Sequence, residues 1–180
     1  MSLKRSNRKL EDTLKALDHD FQRLLVDSDD RTAVIVGSTM LDRRLAEYIR
    51  KVAILDHKIV DPILDSRSPH ALLGSLAAKI KVLSAFGLLS RDEANDLNTI
   101  RDIRNDFAHN ILGCSFMDPD VIAHTRKLIL GWKAVKNLET PPRSVFNIET
   151  HILYAAIGRR MELRTNAPIP ADWIVGQSPA

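Results

Sequence analysis

Ile100-Arg101-Asp102-Ile103-Arg104-Asn105-Asp106-Phe107-Ala108-His109-Asn110 reads as the last turns of an amphipathic helix. At about 100° per residue, Leu97, Ile100, Ile103, Phe107, Ala108 and Ile111 cluster on one side. The same rule sets Arg104 between Ile100 and Ala108, inside that apolar stripe. A guanidinium keeps its charge, so such a position calls for a paired acid, a wet cleft or an arriving anion. Arg104 is therefore the first candidate site residue, expected among apolar neighbours.

Upstream, Ser90 with Glu93 three residues later forms a capping box, so this helix starts there. Gly87 is suited to end the preceding helix. That helix carries Leu72, Leu73, Leu76, Ala77, Ile80 and Leu83, and Ser68-Pro69 supplies a hydroxyl cap followed by a first-turn proline. Asp56 to Ser68, with Pro62 inside, reads as a loop. Arg31 to Leu55 reads as a long helix in which Gly37 allows close packing, and Leu10 to Val26 as another, ended by the Asp27-Ser28-Asp29-Asp30 cluster. Downstream, Asp118-Pro119 opens a helix to about Lys136. Pro141-Pro142 breaks the chain, and Ser144 to Arg164 forms the last helix. About six helices with short connections predict an all-α helical bundle. The chain divides into a basic arm over 1–9 (Lys4, Arg5, Arg8, Lys9), a single helical domain over 10–164, and a Pro-containing tail over 165–180 in which Trp173, Ile174 and Val175 are the docking candidates.

Of the 180 residues, 44% are hydrophobic, enough for a core and too many for disorder. The formal net charge of +3 permits an acidic partner without demanding one. Cys114 is the sole cysteine, so no internal disulfide forms and a reducing compartment is expected. No run approaches the roughly 20 apolar residues of a membrane span, and the N-terminus lacks the apolar core of a secretory signal. The cytoplasm is the expected location, with no membrane partner.

The residues that carry chemistry are few. Histidine near neutrality moves protons, and arginine steadies a developing phosphorane charge. Arg104 and His109, with Asn105 beside the arginine, have those types. An unbroken helix points His109 about 140° away from Arg104, so convergence needs a kink near Phe107 or two protomers. The plainer arrangement pairs Arg104 with an acid on another helix and leaves His109 at a helix C-terminus, where positive charge is favourable. Lys79 to Leu97 has the outline of a helix-turn-helix. Its second helix, however, would bring Asp92, Glu93 and Asp96 toward phosphates, so an ordinary hairpin is expected. The six histidines are scattered without helical pairing, and no metal or cofactor is expected. Asp102 and Asp106 should flank Arg101 and Arg104 in surface ion pairs. A Gly-rich phosphate loop and a nucleophile elbow are both missing, which leaves small-molecule enzymology without a motif.

The run Ser68-Pro69-His70-Ala71-Leu72-Leu73-Gly74-Ser75-Leu76-Ala77-Ala78-Lys79-Ile80-Lys81-Val82-Leu83-Ser84-Ala85-Phe86-Gly87-Leu88-Leu89, followed by Ile100 to His109, resembles the mannitol operon repressor (MtlR-like) family. The likeness spans roughly Thr32 to Gly131. It implies an all-helical bacterial regulator that works in transcription control through protein partners or dimerisation, without a DNA-reading motif. Arg101, Arg104 and Arg67 are then the candidates for contacting a partner or an anion. Arg104 to His109 also resembles the Arg-x4-His motif of HEPN domains, which include metal-independent ribonucleases. By that resemblance Arg104 would hold the scissile phosphate of RNA, His109 would shuttle the proton, and Asn105 would assist at a dimer interface. A helical interaction module with no nucleic-acid role is the third alternative.

Overall fold

Asp29 opens the first fully described helix. Its carboxylate accepts the Thr32 amide at 3.0 Å and α1 runs Asp30–Val52. α2 covers His57–Leu64, α3 Leu76–Ala85, α4 Arg91–His109, α5 Pro119–Thr125, α6 Ile129–Val135 and α7 Pro142–Leu163. The computed structural model of the chain describes residues 23, 25–53, 57–65, 67, 71–110, 113–135 and 139–163. The arm, the tail and most of the expected first helix lie outside these residues; 25–27 are helical. The described structure is an all-α bundle without strands. No helix of the described residues is long and apolar enough to cross a membrane.

The core is one apolar cluster that draws on every helix but α6, whose Leu130, Trp132 and Val135 pack against it partly buried. Leu97, Ile100, Ile103 and Phe107 of α4 are completely buried. Phe107, Phe116 and Phe146 form a tilted aromatic chain with centroid spacings of 5.4 and 5.3 Å. α1 and α7 run in the same direction. Near their starts, Arg143 reaches Asp30 at 2.7 Å. Further on, Arg44 lies 3.7 Å over the Tyr154 ring and packs on Gly158. The close approach needs Gly37, where an added Cβ would stand 3.2 Å from Leu25 and 3.3 Å from Thr150. α4 runs opposite to α1, since Arg31 at the start of α1 donates to the Asn110 carbonyl at the end of α4, 2.7 Å away.

The capping box of α4 forms, with Ser90 and Glu93 exchanging both bonds. Gly87 closes α3 at φ +64°, a conformation that costs glycine little. Asp118 with Pro119 opens α5.

Three boundaries differ from expectation. Helix α2 replaces the loop expected over Asp56 to Ser68. Pro62 costs it one amide bond, but burial of Val60 and Leu64 outweighs that loss in so short a segment. α3 begins at Leu76 rather than near Pro69, capped by Ser75, whose hydroxyl accepts the Ala78 amide; Ser68, Pro69 and His70 lie outside the described residues. Leu72 is exposed in the turn before it, and buried Lys79 ties that turn to α1 by donating to Asp42 at 2.8 Å and to the Gly74 carbonyl. The helix expected from Pro119 to Lys136 is two, α5 and α6, because Asp96 caps the amides of Ile129 and Leu130. The described residues thus hold seven bounded helices where five were expected, the sixth expected helix lying mostly outside them.

Candidate functional site

The last two turns of α4 carry the residues singled out in the sequence. Arg104 and Ala108 are exposed, which corrects the expectation that Arg104 sits in the apolar stripe. The angular rule gives the side of a helix that is buried, not how far along the helix burial runs. Leu97, on the same side of α4 as Arg104, is buried, whereas Arg104 and Ala108 further on are exposed. Among the described residues Arg104 makes no hydrogen bond or ion pair. Arg101 is half-buried and held on its own helix, to Asp102 at 2.9 Å and Asn98 at 3.1 Å.

Two charges do lie in the apolar stripe, Glu93, held by Arg160, and Asp96. Counted at about 100° per residue Asp96 falls between Ile103 and Phe107, and it is completely buried. It was readable from the same rule that drew attention to Arg104.

α4 continues unbroken through His109. Arg104 and His109 therefore leave it about 140° apart, and one chain does not bring them together. His109 is exposed at the helix C-terminus. It shares a cleft of about 380 Å³ with Asn105 and Asp106 of α4, with the C-cap Asn110, and with Cys114, Asp118 and Asp120 of the following loop and α5. Arg104 does not line this cleft. Asp106 does not pair with an arginine of its own helix; its Oδ2 lies 2.8 Å from Nδ1 of His124 on α5. Asp118 accepts the Ser115 amide at 3.0 Å. Burial, then the Asp118 carboxylate and the charge of Asp106, push the Cys114 thiol up to about 11. It stays protonated near neutrality and is no nucleophile. With three carboxylates on its walls, the cleft repels a phosphate unless a cation comes from elsewhere.

Arg67 belongs to a different surface. It is exposed and bound to Asp65 at 3.0 Å, and it lines a second cleft with Arg50, Asp61 and Pro62. Arg50 and Asp61 are themselves paired at 2.6 Å. Among the described residues no three His, Cys, Asp or Glu side chains converge to hold a metal ion. The His124–Asp106 pair had no signal in the sequence, because its members are eighteen positions apart on separate helices.

No protein-family model matches the chain, and no curated protein matches it in sequence. Solved structures do. A chain of the MtlR–HPr complex from Escherichia coli superposes with a TM-score of 0.61 at 19% identity, over 79% of this chain and 98% of that one. A possible transcriptional regulator, YggD, from Shigella flexneri 2a superposes with a TM-score of 0.57 at 12% identity, over 82% and 98%. At such identities the shared property is the fold.

Proposed function

We propose that this chain is a cytoplasmic bacterial regulatory protein of the MtlR type, acting in transcription control by binding a protein partner rather than by reading DNA. One observation carries the reading: nearly the full length of a chain from the MtlR–HPr complex is matched by this fold. The surface agrees with it. α3 and α4 form a hairpin in which Asp92 pairs with Lys133, Glu93 with Arg160, and Asp96 is buried. A helix so engaged offers little to a phosphate backbone. Arg104, exposed and unpaired among the described residues, is a cation available to an acidic or phosphorylated partner surface at little desolvation cost, and Arg101 stands one turn away. Arg67 would belong to a separate contact.

Titration calorimetry with HPr tests the reading. Binding by the intact protein that weakens about tenfold or more in Arg104→Glu, with the fold retained, supports it. Failure to bind HPr removes HPr as the partner.

A second reading, a HEPN-type ribonuclease, draws on Asn105 and His109 lining one cleft. It requires Arg104 of a second copy to reach that cleft, hence a homodimer. Cleavage of labelled RNA in EDTA, lost in His109→Ala, would establish it; intact RNA with a monomeric protein would end it.

A further inference from the structure

Two carboxyl groups meet in the core where α4, α6 and α7 converge. Asp96 and Glu149 are both completely buried. Asp96 accepts the amides of Ile129 at 2.8 Å and Leu130 at 3.0 Å, and Glu149 Oε2 accepts the amide of Gly131. These are three successive first-turn donors of α6, which no helical carbonyl can satisfy. Gly131 is needed for the approach, since a Cβ there would stand 3.1 Å from Glu149 Oε2 and 3.0 Å from the Val145 carbonyl. Glu149 Oε1 is buried with no hydrogen-bond partner among the described residues.

Among the described residues the surrounding charges offer no counter-ion. On α4, Asp92 adds negative charge and pairs with Lys133 of α6 at 3.0 Å, while Glu93 is held by Arg160 of α7 at 2.5 Å. On α1, Asp30 is engaged by Arg143, Asp42 by Lys79 of α3, and Arg44 by Glu47 and the Tyr154 ring. On α5, His124 is turned to Asp106. Two adjacent buried carboxylates without a cation among the described residues cannot both ionise at little cost. Burial, then the charge of Asp96, push the Glu149 carboxyl up to about 8. Burial also raises Asp96, but its two amide donors favour its charged form. The shared proton therefore resides on Glu149.

We infer that Asp96 and Glu149 form a proton-dependent latch, in which one proton between them holds the first turn of α6 against α4 and α7, and its loss to solvent in mild alkali frees α6. A protonated Glu149 presents no second charge and gives the pair a donor. Once it ionises, the like charges repel and the caps of Ile129 to Gly131 loosen. Trp132, in the following position, donates its indole N–H to the Thr125 carbonyl at 3.0 Å and reports the movement.

The full chain carrying Trp173→Phe leaves Trp132 as the sole indole. Its fluorescence, and hydrogen exchange over 129–135 corrected for the intrinsic base-catalysed rate, are followed between roughly pH 6 and pH 10. From pH 6 up to the transition near pH 8 the protection of this segment should fall by about tenfold per pH unit and then level off, while that of α1 stays level throughout. Glu149→Gln, which keeps a neutral partner for Asp96, should abolish the transition. Asp92→Asn, on the surface, should move it to lower pH by removing a neighbouring negative charge. Protection that is flat with pH in the parent chain overturns the latch whatever the variants do. So does a transition that survives unchanged in Glu149→Gln.

Discussion

His124 on α5 sits 2.8 Å, Nδ1 to Oδ2, from Asp106 in the last turn of α4, so one pair clamps the end of the central helix to the wall of the cleft. Both side chains are about a quarter to a third exposed. Loss of this bond should therefore cost little, about 1 kcal/mol. His124→Ala and Asp106→Asn should each lower stability by that amount in urea titrations. The double variant should show less than the sum, since both remove the same contact.

Ser90 and Glu93 predict an acid dependence. Burial pushes the Glu93 carboxyl up, but the Arg160 bond and the Ser90 donors outweigh it and hold it below its ordinary value. A folded-state value below the unfolded one stabilises the fold above the unfolded value, near 4.5, and that contribution is lost as pH falls through the folded value. Glu93→Gln should flatten the acid limb of the stability curve below about pH 5. Ser90→Ala should cost about 1 kcal/mol at neutral pH through the lost cap.

Gly131→Ala tests the packing of α6 on α7. Alanine is the better helix former by about 1 kcal/mol. The new Cβ would meet the Val145 carbonyl at 3.0 Å, however, and a backbone oxygen inside α7 has little room to retreat. The net effect should be destabilising by about 1–3 kcal/mol, read as a fall in the denaturation midpoint.

Arg104→Ala separates function from fold. The side chain is exposed and makes no hydrogen bond or ion pair among the described residues. Its removal should leave stability within about 0.5 kcal/mol of the parent. Any large loss of partner binding in this variant would then report contact rather than unfolding. A variant that unfolds instead would show that Arg104 has a structural partner.

The all-α class, the Ser90–Glu93 box, the Gly87 terminus, the Asp118-Pro119 start and the tight packing at Gly37 were legible in the chain, because caps, turn glycines and apolar periodicity act within a few residues of one another. Burial of α4 was legible only by side. Residues on one side of a helix share a fate only as far as the neighbouring helix runs, and the start of α3 was set by Ser75 and by Lys79 reaching Asp42, a contact between residues 37 positions apart. Arg104, on the same side of α4 as buried Leu97, is exposed. The pairing of Asp96 with Glu149 and of Asp106 with His124 likewise arises where separate helices meet. Local sequence thus determined most of the helical segments, α2 excepted, and several of their caps. Tertiary packing alone decided which of their charges are buried, because burial depends on what lies opposite.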